Sequence, residues 1–294
     1  MHAQRFAPAK VNLFLHVGPV GGDGYHPVCS LMTFADIGDV VRLDASETMG
    51  FEVVGPYGEG LARSDADNLV VRARDAFLRL VDGETGPFRL VLDKRLPIAA
   101  GLGGGSADAA ATLGLLCQTF RVDPDAEEIG EIARSLGADV SACLSVLPVI
   151  GRGRGDDLDG PPPFPDVDAV LVNPNRPSPT GPVYRAFDAM TAQPRADEPD
   201  WPEAIETSRE LARFLESCRN DLEAPAISLQ PAIADVLGAL RARPETLIAR
   251  MSGSGATCFA ICASRDDARA AALGIGDARR DWWVKPCRLA GFCP

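Results

Sequence analysis

Histidine is scarce in this chain and confined to one end. His2, His16 and His26 are its three histidines, so no His-x3-His pair exists and a zinc-protease helix is excluded. Cysteine supplies no metal framework either. The closest pair among the eight, Cys258 and Cys262, stand four apart with no Cys-x2-Cys anywhere, which argues against a structural zinc site. Basic residues are outnumbered: 29 Lys and Arg against 41 Asp and Glu leave a net charge of −12. Such a body repels phosphate backbones and anionic bilayers, so neither nucleic acid nor membrane is an expected partner. A small phosphorylated ligand stays open, because local backbone amides hold phosphate whatever the global charge. No apolar run approaches the ~20 residues that span a bilayer. Asn12 and His16 interrupt the first apolar stretch, so no secretory signal is expected. A cytoplasmic protein with reduced, mostly buried thiols is the expectation.

What is present fits a folded globule. Hydrophobic residues are 46% and charged residues 24% of 294, enough for one or two domains. Residues 10–17 alternate: Val11, Leu13, Leu15 and Val17 share one strand face, and Lys10, Asn12, Phe14 and His16 the other. Alone, the polar side reads as a solvated face. Short apolar runs at 31–34, 40–43 and 51–54 read as further strands. Asp67-Asn68 caps a helix through Leu69, Ala73, Phe77 and Leu80, with Gly83 as its stop. A strand follows from Phe88 to about Lys94. Asp123-Pro124 reads as the start of a helix that Gly137 ends. Later helices are expected over 203–217, 231–242 and 266–273, with strands over 257–262 and 283–287. Proline-rich connectors occupy 161–165 and 193–202; the latter and the tail after Trp283 match no motif. Strands early, helices next and a strand–helix–strand end argue an α+β fold in two parts, 1–155 and 156–294.

The most informative segment is Pro97-Ile98-Ala99-Ala100-Gly101-Leu102-Gly103-Gly104-Gly105-Ser106-Ala107-Asp108. Four glycines in five positions precede a helix expected to start at Ser106. Amides without a Cβ approach a phosphate closely, and a helix N-terminus adds about half a positive charge. As a mere connector the run would carry a heavy entropic cost. A Walker A loop is excluded, since no lysine precedes Ser106. A dinucleotide fingerprint is excluded too, since Ser106 replaces its third glycine and Asp123 and Asp125 begin a helix instead of ending a strand.

Three segments together resemble the GHMP kinase superfamily: Pro8-Ala9-Lys10-Val11-Asn12-Leu13, the glycine loop, and Met251-Ser252-Gly253-Ser254-Gly255-Ala256. Asp23-Gly24-Tyr25-His26, Leu136-Gly137-Ala138-Asp139-Val140, Pro179-Thr180 with Val183-Tyr184, and Asn220-Asp221-Leu222-Glu223 narrow the match to the branch acting on 4-diphosphocytidyl-2-C-methyl-D-erythritol, in the non-mevalonate isoprenoid pathway. Two departures stand out: Ala107 where a second serine is common, and Arg154-Gly155-Asp156 in place of a more usual Gly-Glu pairing.

The resemblance implies a two-lobed α+β kinase, with an ATP-binding first lobe, that moves the ATP γ-phosphoryl to the C2 hydroxyl of that substrate. It implies Asp139 and Lys10 as the catalytic pair, 129 positions apart in sequence. It implies ATP on the loop from Pro97 to Ala107, Lys94 and Asn68 near the adenine, and Mg²⁺ at Ser106. Ser252–Ala256 would support the loop or orient substrate. Asn12 would meet the diphosphate or the polyol, Thr180 and Pro182 would line that pocket, and Tyr25, His26 and Tyr184 would clamp the cytosine. The expected partner is thus a small molecule bearing a cytidine diphosphate, bound by a monomer or weak homodimer. Another small-molecule kinase of the superfamily, of homoserine or mevalonate type, and a non-catalytic nucleotide-binding homologue are the alternatives.

Overall fold

The computed structural model describes residues 2–59, 61, 67–82, 85–190 and 194–290. Gly83 as a helix stop, Gln193 as the first connector residue, and the tail beyond 290 lie outside the described residues. The chain opens with two long strands, β1 (His2–Val17) and β2 (Val28–Ala45), then β3 (Gly50–Val54), α1 (Leu69–Leu80), β4 (Phe88–Asp93) and α2 (Gly104–Phe120). Next come α3 (Glu127–Leu136), α4 (Ala138–Ser145) and the hairpin of β5 (Val149–Gly153) with β6 (Asp157–Asp159). The second half holds β7 (Val167–Asn173), α5 (Thr180–Asp188), α6 (Ser208–Glu216), α7 (Glu223–Leu229), α8 (Ala232–Arg241), β8 (Thr246–Met251), β9 (Cys258–Cys262), α9 (Arg265–Ala278) and β10 (Trp283–Ala290).

One mixed sheet runs β3-β4-β2-β10-β7-β9-β8, with β1 and β5 also on β2. β2 is its spine. β1 pairs along its length, while β5, β10 and β4 take successive parts from Val28 to Ala45. β10 pairs with both β2 and β7, so the last described strand joins the early part of the sheet to the late part. Helices α1, α2 and α3 pack on the early part around Phe34, Phe77, Leu113 and Leu116, and α5, α7, α8 and α9 pack on the late part around Phe187, Val236 and Ala260.

Several elements differ from their expected bounds for identifiable reasons. The runs at 31–34 and 40–43 are one strand, because Asp39 between them is fully buried and fully paired. β1 begins at His2, and Lys10, Asn12 and His16 are 4%, 4% and 2% exposed rather than solvated. α2 starts at Gly104, not Ser106, with Gly103 at φ 59° as its N-cap. α3 starts at Glu127, since Asp123 closes a turn onto the Asp125 amide (3.0 Å) instead of capping the helix. α6 starts at Ser208, where Thr207 and Glu210 form a capping box, and α9 runs on to Ala278. Strands β5 to β8 and helices α5 and α7 had no clear periodic signal, being short or buried on both faces.

Candidate active site

β1 alternation puts Lys10 and Asn12 on one side, two residues apart. The Lys10 backbone N–H donates to the Leu102 carbonyl at 2.9 Å, drawing the glycine loop over this strand. Fit decides the glycines here. A Cβ on Gly103 would lie 2.9 Å from Lys10 Cε, and one on Gly101 would strike the Ser252 carbonyl. Both residues have positive φ (59° and 73°), which glycine adopts without penalty. The loop and the first turn of α2 thereby line a cavity of about 480 Å³.

Asp139 reaches the same cavity from another helix. Gly137, at φ 151°, ends α3 and begins α4, so Asp139 lies in the first turn of a helix and not at the start of an exposed loop. An acid there is favoured by the helix dipole. Lys10 Nζ donates to Asp139 Oδ1 at 2.8 Å and to Asn12 Oδ1 at 3.1 Å. The ammonium is buried while the Asp139 side chain is 47% exposed, so the pair is open on its acid side.

The C-terminal glycine segment backs the loop. Ser252 Oγ donates to the Gly101 carbonyl (2.8 Å) and accepts from the Asn12 amide (3.1 Å). The Thr257 and Ser178 amides donate to Ala100 and Ala99 carbonyls, and Asn220 Nδ2 donates to Met251 and Gly253 carbonyls at 2.8 Å each. Residues from both ends of the chain therefore fix one loop.

Lys94, expected near the adenine, is held by two acids. Its ammonium, 4% exposed, donates at 2.6 Å to both Asp39 Oδ2 and Asp108 Oδ2. Asp39 Oδ1 takes the Arg95 and Leu96 amides at 2.5 and 2.8 Å. Burial alone would lower the Lys94 pKa, but Asp108 and Asp39 together raise it. Burial pushes Asp108 up to about 7 against the pull of Lys94, and Asp39 adds to the rise. Lys94 still lies in the cavity wall, as does Asn68, the N-cap of α1, which accepts from the Val70 amide at 2.9 Å. Sequence reasoning gave Asp39 and Asp108 no role. The available signal was a lysine ending an apolar strand, which needs counter-charge once buried.

From the loop, Pro97 to Ser106 line the cavity, while Ala107 packs behind it in the core. Asn12, Thr180 and Tyr184 line it too; Tyr25, His26 and Pro182 do not. The Asn12 side chain is engaged inside the protein at both ends, Oδ1 by Lys10 and Nδ2 by Ser30 Oγ at 2.7 Å, while it lines the cavity. Thr180 Oγ1 lies 3.0 Å from Ser254 Oγ. His26 packs on Tyr184, ring centroids 4.9 Å apart, with Nδ1 on the Gly18 carbonyl and Nε2 3.3 Å from Asp188. Its polar edge faces protein groups. Tyr25 is 56% exposed, and the guanidinium of Arg154, itself in the wall, sits 4.2 Å over its ring. Burial, and then the Asp139 charge, push Tyr184 to about 12, so its hydroxyl stays neutral. The seven described cysteines are free and buried.

A loop of bare amides at a helix start beside a lysine–aspartate pair is a phosphoryl-transfer arrangement, and family models agree. The N-terminal domain of GHMP kinases matches residues 68–145 and their C-terminal domain matches 201–278, so the fold and cavity are those of a GHMP kinase. A relative from Caulobacter vibrioides, a 4-diphosphocytidyl-2-C-methyl-D-erythritol kinase, is 51% identical over 99% of this chain and 100% of its own. A crystal structure of 4-(cytidine 5'-diphospho)-2C-methyl-D-erythritol kinase superposes with a TM-score of 0.79 at 36% identity, over 99% and 100% of the two chains. The chain belongs to the 4-diphosphocytidyl-2-C-methyl-D-erythritol kinase family. A homoserine kinase from Cytophaga hutchinsonii shares the fold, with TM-score 0.70 at 20% identity over 99% of this chain and 95% of its own.

Proposed function

We propose that this protein transfers the γ-phosphoryl group of ATP to the C2 hydroxyl of 4-diphosphocytidyl-2-C-methyl-D-erythritol, giving the 2-phosphate and ADP, in the non-mevalonate route to isoprenoid precursors. The carrying observation is the 2.8 Å contact of Lys10 with Asp139 in the cavity that the glycine loop walls.

Each group has a role that its position supports. Amides from Gly101 to Ser106 hold the α- and β-phosphates, helped by the positive end of α2. Asp139, 2.8 Å from the Lys10 ammonium, aligns the attacking hydroxyl and receives its proton. With a loose transition state, alignment is the larger share of that work. Lys10 neutralises charge growing on the transferring phosphoryl oxygens. Mg²⁺ takes oxygen ligands and keeps several waters, using one or two protein oxygens plus phosphates. The Ser106 hydroxyl in the wall offers such an oxygen, and the bound ion would neutralise charge on the β- and γ-phosphates.

Tyr184 in the wall and Tyr25 just outside it flank the end of the cavity where the cytidine is read, with His26 bracing Tyr184 and Thr180 and Pro182 beside them. The chain divides at 155/156, in the β5–β6 turn, into lobes 1–155 and 156–294. Among the described residues no helix is long and apolar enough to cross a membrane, and the reading includes a cytoplasmic monomer or weak homodimer acting on small molecules without nucleic acid. The test is ADP release with the cytidyl substrate against CDP alone, mevalonate and homoserine. Turnover with the first only is expected; turnover with mevalonate or homoserine but not the cytidyl substrate overturns the reading.

A further inference from the structure

The Lys10 ammonium is the end of a hydrogen-bond chain that starts at a backbone carbonyl on the same strand. Ser30 Oγ donates to the Phe14 carbonyl at 2.6 Å. Asn12 Nδ2 donates to Ser30 Oγ at 2.7 Å, Lys10 Nζ donates to Asn12 Oδ1 at 3.1 Å, and Lys10 Nζ also donates to Asp139 Oδ1 at 2.8 Å. Ser30, Asn12 and Lys10 are 3%, 4% and 4% exposed and all three lie in the cavity wall, so these bonds sit at the edge of the site with little exposure to water. The chain crosses a register shift of β1 on β2 between Asn12 and Phe14, the kind of bulge that re-aims side chains beside a site.

Donor and acceptor chemistry leaves this chain one direction. A carbonyl only accepts, so the single Ser30 hydrogen is committed to Phe14. The Ser30 oxygen must then accept from Asn12, which requires the amide nitrogen there and the amide oxygen at Lys10. A flipped amide would set an oxygen against a hydroxyl whose hydrogen is already used. It would also set an NH₂ against an ammonium, donor against donor. Both faults fall in a buried place, where each unmade bond is expensive. An ammonium has three N–H groups. Asn12 and Asp139 take two, and the third is left for the cavity.

We propose that Ser30 is a positioning residue of the phosphoryl-transfer site: through the orientation of the Asn12 amide it holds the Lys10 ammonium paired to Asp139 with one N–H kept for the transferring group. What the third N–H meets rests on the kinase reading above; the orientation of Asn12 by Ser30 does not.

Ser30→Ala, Ser30→Thr, Asn12→Ala and the Ser30→Ala/Asn12→Ala double variant separate this role from simple packing. Ser30→Ala should lower kcat by about tenfold, the cost of one unsatisfied buried group, with KM for ATP within about twofold of the parent. Ser30→Thr keeps the hydroxyl and should restore kcat. The double variant should be no slower than Asn12→Ala, because a residue acting through another adds nothing once that other is gone. If Ser30→Ala does not fold, Ser30→Cys, of similar size with a weaker donor, should give a smaller fall of the same kind. Exchange of the Asn12 side-chain amide hydrogens, followed by NMR, reads the relay without turnover: slow in the parent and Ser30→Thr, fast in Ser30→Ala. An unchanged kcat, losses that multiply in the double variant, or equally slow exchange in Ser30→Ala would overturn the proposal. A parent that does not phosphorylate the cytidyl substrate would instead sink the kinase reading and leave the exchange result to decide the relay.

Discussion

Two lysines are buried in the wall of one cavity, and they are wired in opposite ways. Lys94 is shared by two carboxylates, Asp39 and Asp108, whose side chains are 0% and 3% exposed. Lys10 has one carboxylate, half open to the cavity, and a neutral amide. The first arrangement consumes the ammonium: it ties β2, the end of β4 and α2 together under the start of the loop. A Cβ on Gly104 would come within 3.0 Å of Lys94 Nζ. The second leaves the ammonium fixed yet incompletely paired. Burial does not tell the two lysines apart; the completeness of the partner set does.

Variants that exchange stability loss for activity loss probe this contrast. Lys94→Met strands two buried carboxylates and should destabilise the fold by about 3–5 kcal/mol, read as a drop in the denaturant midpoint. Lys10→Met leaves one neutral acceptor, Asn12 Oδ1, without its partner and should lower that midpoint by less, a loss of about 1–3 kcal/mol, while lowering kcat on the order of 10²–10³-fold. A Lys10 variant that unfolds like the Lys94 variant would erase the distinction.

A smaller effect sharpens the closed cluster. The folded-state pKa of Asp108 is raised from 3.8 to about 7, so the folded state holds this proton more tightly than the unfolded chain does. Its contribution to stability is present below about pH 4 and is lost as pH rises through about 7. Unfolding at pH 5 and pH 8 should therefore show the parent losing stability relative to Asp108→Asn. An equal change in both proteins would contradict the assignment.

The smallest effect concerns the same strand, farther along. His16 Nδ1 donates to the Asp197 carbonyl at 2.6 Å, and Nε2 accepts from the Arg219 amide at 3.3 Å. Burial holds its pKa below 6.5. A lowered base stabilises the fold above its unfolded pKa and loses that contribution as pH falls below about 6.5. Trp201 fluorescence should report loosening of the connector between pH 6.5 and 5, and His16→Gln should flatten that change.

Much of this site was legible in the amino-acid order, because its parts are of two kinds that sequence carries well. Glycines crowded before a helix announce a backbone that must approach something closely, and polar residues at period two on an apolar strand announce a shared face. The convergence of Lys10 with Asp139 was legible only through resemblance, since nothing local links residues so far apart. Asp39 and Asp108 were silent for the opposite reason: each looks like a surface acid, and only the fold reveals that Lys94 lies between them. Of the residues expected to clamp the cytosine, Tyr184 lines the cavity, while Arg154 lies over Tyr25 and Gly18 and Asp188 engage His26. The two apolar runs of β2 look like separate strands because the polar residues between them, Asp36 and Asp39, break the apolar run when their partners are unseen.

The central claim is that the open Lys10–Asp139 pair does chemistry while the nucleotide phosphates are held on the glycine loop. Asp139→Asn tests it most directly, with ADP release on the cytidyl substrate and ATP affinity by calorimetry measured on the same preparation. Turnover should fall by about 10²–10⁴-fold with ATP affinity within about threefold of the parent. Parental turnover in Asp139→Asn, or a loss of ATP binding as large as the loss of rate, would contradict it.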